Sequence, residues 1–163
     1  SAGAEGTYPL TEVQVDRFLL RALSHYPERD EERQVVSRID YLEEPSLNPV
    51  VDSSQIEEMQ RLVRQVYVAE AVLEYMLDVT TAIRRDPDVS GGSSPRGSIS
   101  LYKCCRARAL LEGRDYVIPD DVKQLAEPTL SHRLRIKPEA EMEGVNAGIV
   151  VDRALSIVAV PKI

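Results

Sequence analysis

Three stretches of the chain hold side chains whose type and spacing could do chemistry, and arginine recurs in all of them. Asp16-Arg17-Phe18 sets a guanidinium at the junction between a short capped segment and an apolar one, from which it could project at the end of a rigid element. The plain alternative is a surface ion pair between Asp16 and Arg17, worth about 0–1 kcal/mol. Gly91-Gly92-Ser93-Ser94-Pro95-Arg96-Gly97-Ser98 leads a glycine hinge into a helix N-terminus that carries Arg96 in its first turn. A cation there opposes the helix dipole, so its presence suggests an anion to meet; an incidental arginine on a capped helix is the alternative. The third stretch, Ser93 to Arg114, sets Arg96, Lys103, Arg106, Arg108 and Arg114 against Glu112 alone. It reads as a solvated face, or as a surface for phosphate or an acidic partner.

Other chemistries find no footing. There is no G-x-x-x-x-G-K-[ST] loop to wrap phosphates with backbone N–H groups, no G-x-G-x-x-G and no G-x-S-x-G, so these residues do not make a self-sufficient nucleotide enzyme. The two cysteines, Cys104 and Cys105, are sequence neighbours, a poor spacing for a disulfide or a zinc site. His25 and His132 stand far apart, and no metal site is expected. The net charge of −7 over 163 residues argues against general attraction to nucleic acid or anionic membranes. No apolar run reaches the roughly 18 residues of a membrane span and no signal peptide is evident, so a cytoplasmic protein is expected.

The elements that must position these residues read mainly as helices. Thr11 with Gln14 three residues on, and Leu10 with Val15, make a capping box and a staple, so a short helix starts at Thr11. Phe18 to Tyr26 runs apolar up to Pro27 and reads as a strand. Asp30 is expected to cap a helix with Glu31 and Glu32 in its first turn, ending before Pro45. Residues 43–52 form a loop, and the next helix is capped near Ser53 or Ser54. Val66-Tyr67-Val68 interrupts the helical pattern as a very short strand.

Val72, Met76, Val79 and Ile83 recur at helical spacing between Ala69 and Arg85. A breaker stretch from Asp86 to Ser93 follows. Ser94 as N-cap and Pro95 at the first helical position open a helix to about Glu112, ended by Gly113. Pro119 starts another short helix that Pro128 disturbs, Leu134 to Ile136 is a short strand, and Val145 to Val158 is helical.

Taken in order, these segments resemble the MoxR family of AAA+ ATPases. Glu5-Gly6-Thr7-Tyr8-Pro9-Leu10, Glu12, Gln14 and Asp16-Arg17-Phe18 resemble the family's E-G-T-Y-P-L-P-E-A-Q-x-D-R-F stretch. Asp86-Pro87-Asp88-Val89 through Ser94-Pro95-Arg96-Gly97-Ser98 resembles its sensor-2 stretch. Gly113-Arg114-Asp115-Tyr116-Val117, Pro119-Asp120-Asp121-Val122 and His132-Arg133-Leu134 resemble the lid that follows. Thr11 stands where the family usually has Pro, and Gly97 where Ala is usual.

The resemblance implies a mainly α fold, a helical AAA+ lid-type bundle with one or more short strands, preceded by the last strand region of an α/β core. It implies residues 1–27 as the tail of that core and 28–163 as the lid domain, with Walker A, Walker B and sensor 1 upstream of residue 1. By the same resemblance Arg17 is the arginine finger, acting on a neighbouring subunit's γ-phosphate, and Arg96 is the sensor-2 arginine. The intact protein would then be a cytoplasmic, ring-forming, Mg²⁺-dependent ATPase using ATP to remodel or mature partner proteins. The fragment alone would be inactive, with no cofactor bound. The competing reading is a non-enzymatic helical interaction module using the basic helix or the acids around Glu28 to Glu32. A nucleic-acid binder ranks last, because few aromatics are present to stack on bases.

Overall fold

The computed structural model describes Tyr8 and residues 10–162. Glu5-Gly6-Thr7 and Pro9 of the N-terminal motif lie outside the described residues. Nine α-helices and one two-stranded sheet make up the described residues, grouped in two compact units. One unit comprises the chain up to Arg21 together with Leu62 onward; the other is Ala22–Arg61. The boundary expected after residue 27 falls inside the second unit.

The first unit is built on α5 (Glu70–Arg85), α6 (Pro95–Leu111), α7 (Pro119–Leu130) and α9 (Ala147–Ile157). The stripe Val72, Met76, Val79 and Ile83 on α5 is fully buried, as its spacing predicts. It meets Leu101 and Cys105 of α6, Val122 and Leu130 of α7, and Val150 and Val151 of α9 in one core. Cys105 and Ala109 of α6 and Ala126 of α7 are small and fully buried, and α6 and α7 pack against each other. Each buried Val, Leu or Ile contributes about 1.5–3 kcal/mol. The cysteines are free and buried, and burial pushes the Cys105 thiol pKa far up, so both behave as core side chains.

Most helix boundaries follow local chemistry. The backbone N–H of Thr11 donates to Gln14 Oε1 at 2.8 Å and opens α1 (Glu12–Val15). Ser94 Oγ accepts from the Arg96 N–H at 3.2 Å, with Pro95 at the first helical position of α6. Gly113 closes α6 at φ +71°, a conformation that favours glycine. The triplet around Tyr67 forms a single parallel bridge with Tyr116, through Tyr67 N–H to Asp115 O at 2.7 Å and Val117 N–H to Tyr67 O at 3.0 Å.

Several elements differ from the sequence reading, among them the single helix expected before Pro45, which is broken at Arg38 into two. Phe18 to Tyr26 forms no strand, because among the described residues no strand lies alongside to take its backbone groups. Within the breaker stretch, Val89–Gly91 forms β1, which pairs antiparallel with β2 (Arg135–Ile136). A short α8 (Pro138–Met142) begins at a proline the reading passed over. Pro128 does not disturb α7: near the helix end it removes one bond only, and the Thr129 hydroxyl donates back to the Leu125 carbonyl.

The second unit holds α2 (Arg29–Ser37), α3 (Ile39–Glu43) and most of α4 (Ser53–Val63). Glu28 caps α2 two residues before the expected Asp30, its N–H donating to Glu31 Oε2 at 3.0 Å. Asp52 caps α4, its Oδ1 accepting from the Gln55 N–H at 2.9 Å. Every residue from Ala22 to Arg61 is exposed.

Candidate functional site

The N-terminus of α6 and the end of α1 meet over one carboxylate. Asp16, the C-cap of α1, accepts from Ser94 Oγ at 3.2 Å (Oδ1) and 3.0 Å (Oδ2). Its Oδ1 accepts from Arg133 Nε at 3.2 Å, and its Oδ2 lies 3.5 Å from Arg96 Nε. The anion that the first-turn arginine calls for is therefore supplied within the chain, by Asp16. The ion pair expected between Asp16 and Arg17 is not formed. Among the described residues Arg17 forms no ion pair, because its neighbour's carboxylate is already turned toward α6 and Arg133.

Arg133 is the anchor of this arrangement. Its side chain is 1% exposed, and its guanidinium donates to the carbonyls of Thr129 and Phe18, to the Asp16 carbonyl at 3.2 Å and to Ser100 Oγ at 3.0 Å. Burial pushes its pKa down, and the adjacent Asp16 carboxylate opposes that shift. A buried guanidinium with this many acceptors is a fixed structural charge.

Of the glycine pair before α6, Gly92 lies hard against α5. A Cβ on Gly92 would lie 2.9 Å from Arg84 Cγ and 3.2 Å from Arg84 Cα, so glycine is needed there for close approach to α5. Arg84 also donates through Nε to the Ser93 carbonyl at 2.7 Å, fixing the turn that delivers Ser94.

These contacts leave an open cleft of about 680 Å³ lined by Asp16, Arg17, Ser94, Arg96, Ser100 and Lys103, among others. Arg17 and Lys103 are exposed, and the Arg96 side chain is 54% exposed, so three cations face solvent around one already engaged carboxylate. Such a set suits a multiply charged anion that accepts several hydrogen bonds, as a phosphate does. Among the described residues that line the cleft Asp16 is the one carboxylate, so the cleft presents mainly hydrogen-bond donors.

The five cations between Ser93 and Arg114 divide into three groups. Arg114 donates both terminal nitrogens to the buried Asp121, at 2.9 and 2.7 Å, and Arg108 Nε stands 3.5 Å from the same carboxylate. Asp121 also accepts from the Ile118 N–H at 3.0 Å, tying the start of α7 to the end of α6. Arg106 lies over the Tyr102 ring at 5.4 Å. Arg96 and Lys103 alone of the five reach the cleft.

The sequence reading named Arg17 and Arg96, and the fold brings both to this cleft. It missed Asp16 and Arg133 as their connection. Both residues sit in the quoted motifs, Asp16 in Asp-Arg-Phe and Arg133 in His-Arg-Leu, but nothing in either motif pairs one with the other.

Residues 81–154 match the family model described as the AAA lid domain. The Bacillus subtilis protein YeaC, of uncharacterised function, is 44% identical over 96% of this chain, and chaperone MoxR1 of Mycobacterium tuberculosis is 33% identical over 98% of it. The crystal structure of a protein assigned as an ATPase from Cytophaga hutchinsonii matches 99% of the chain with a TM-score of 0.87 at 29% identity. The chain spans about half the length of these relatives, covering 49%, 44% and 52% of them respectively.

Proposed function

Since this chain belongs to the MoxR family of AAA+ ATPases, as the C-terminal region that carries the lid, we propose that its cleft contacts the terminal phosphate of ATP during hydrolysis by the full-length protein. One observation carries the reading: Arg17 and Arg96, on separate elements, line the same solvent-open cleft together with Lys103.

Each residue then has a part. Arg17 is the finger, an exposed guanidinium that neutralises charge developing on the transferred phosphoryl group, a role worth about 10³ to 10⁵ in rate in phosphoryl transferases. Arg96 is the sensor, meeting the phosphate at a helix N-terminus whose backbone N–H groups favour the same anion. Mg²⁺, when bound, would neutralise part of the phosphate charge. The residues of this cleft bind and orient oxygen atoms and move no proton.

Because both arginines share a cleft, they meet the same nucleotide. A finger acts on the nucleotide of a neighbouring subunit, so Arg96 acts across that interface too, and hydrolysis needs an assembled ring. Residues 1–27 would belong by family to the ATPase core and the remainder to the lid; the part up to Arg21 packs in one unit with the lid, and movement of the nucleotide-binding core against that unit would drive remodelling of a client protein in the cytoplasm. No helix among the described residues is long and apolar enough to cross a membrane.

The test is ATP turnover by the full-length protein and its Arg17→Ala and Arg96→Ala variants, with oligomeric state measured in parallel. Loss of turnover by about 10³ with assembly intact is expected for Arg17→Ala. Rings mixed from Arg96→Ala subunits and subunits unable to bind nucleotide should regain turnover, because the intact Arg96 then serves the neighbour's ATP. Wild-type turnover by both single variants would refute the reading, and failure of the mixture to recover would place Arg96 in its own subunit's site.

A further inference from the structure

We propose that Asp16 is a positioning residue for this reaction: it fixes the Arg17 segment to the lid and holds Arg96 until a phosphate takes its place. The proposal rests on the reading that Arg96 meets a nucleotide phosphate.

The two guanidinium partners of Asp16 are unequal. Arg133 is buried, donates to Oδ1 at 3.2 Å, and spends its remaining nitrogens on the carbonyls of Asp16, Phe18 and Thr129 and on Ser100, so it has no freedom to leave. Arg96 is 54% exposed and touches Oδ2 through a single 3.5 Å approach. An exposed pair of that kind shifts an equilibrium by about fivefold or less.

A phosphate carries more charge than a carboxylate and can accept from a guanidinium in a bidentate manner, so it wins the exchange. When Arg96 moves away, Asp16 keeps Arg133 and Ser94 Oγ, the latter at 3.0 Å from Oδ2. The backbone at residue 16 stays where it was. Arg17, the next residue, therefore keeps its place while Arg96 changes partner. One carboxylate separates the two arginines into a fixed one and a releasable one.

Asp16 also sets a threshold. While its charge faces Arg96, nucleotide must compete for that guanidinium, which raises the concentration needed for engagement. Asn keeps the shape and one acceptor oxygen and removes the competing charge.

Equilibrium binding of a non-hydrolysable ATP analogue to the full-length protein with Asp16→Asn, Arg96→Ala and both tests this. With Arg96 present, Asp16→Asn should lower Kd about threefold, within the range of an exposed ion pair. In the Arg96→Ala background it should leave Kd unchanged. An unchanged Kd with Arg96 present, or the same fall without it, overturns the proposal.

A second measurement needs no variant. Inorganic phosphate is titrated into the ¹⁵N-labelled wild-type chain, and the arginine Nε–Hε resonances are followed. The Arg96 signal should move while that of Arg133 stays; movement of both, or of neither, overturns the proposal. Failure of the nucleotide reading itself shows separately, as wild-type turnover by Arg96→Ala.

Discussion

Asp16 and Arg133 stand 117 residues apart in the chain, and Arg133 Nε donates to Asp16 Oδ1 at 3.2 Å. The pair joins the end of α1 to the turn after α7, and Ser94 brings the start of α6 to the same carboxylate. Three elements that carry the quoted motifs are thereby held at one point, which a surface ion pair between Asp16 and Arg17 could not have achieved.

Arg133→Met keeps the volume of the side chain and removes every donor. It leaves Asp16 without its buried partner and several carbonyls without an N–H, a change of the kind that costs about 3–5 kcal/mol. At about 2–4 °C per kcal/mol for a domain of this size, the Tm of the chain should fall by about 10 °C. Differential scanning calorimetry reads it, and a fall of only a degree or two would show that the contacts with Arg133 contribute little.

Gly97 stands where the family usually has Ala, and the structure gives the reason. A Cβ there would lie 1.8 Å from Ser93 Oγ and 3.1 Å from Leu130 Cδ2. Gly97→Ala alone should destabilise by about 1 kcal/mol, as modest overpacking does, despite the better helix propensity of Ala. Removing the hydroxyl as well, in Gly97→Ala with Ser93→Ala, should recover part of that loss, since Ser93 Cβ and Leu130 Cδ2 remain 3.1 Å from the added methyl. Urea midpoints of the two single variants and the double variant decide it.

His132 gives a pH dependence of known sign. Burial, and then the neighbouring Arg133, lower its pKa from 6.5, while its Nε2 lies 3.3 Å from the Phe18 carbonyl. The unfolded chain takes up the proton first, so stability falls as pH drops through about 6.5 and below, and is unaffected by this group at higher pH. His132→Gln removes that term. The drop in Tm between pH 7.5 and 5.5 should be smaller in the variant, and equal drops would rule the histidine out as its source.

Sequence alone exposed what is local. Val72, Met76, Val79 and Ile83 announce α5 by spacing, and Thr11 with Gln14 and Ser94 with Pro95 announce helix starts, because each signal is complete within one turn or one face. β1 was hidden because three residues, Val89–Gly91, gain their strand character only from Arg135 and Ile136. The strand expected at Phe18 to Tyr26 fails for the converse reason, since an apolar run is a strand only beside another. Arg17 and Arg96 were legible as arginines at the ends of elements. Their shared cleft was not, because the link runs through Asp16 to partners 78 and 117 residues away.

The attachment of the segment after α1 has a consequence for how this sequence can drift. Arg133 reaches the carbonyls of Asp16, Phe18 and Leu19, and the Arg21 N–H donates to the Pro128 carbonyl at 2.8 Å. These bonds grip the main chain, and the side chains of Phe18, Leu19 and Leu20 remain exposed. The attachment therefore depends on the side chains of residues 16 and 133 and on the main chain at 18, 19 and 21, so side-chain replacement along that segment leaves the grip on Arg17 in place as long as the backbone keeps its path.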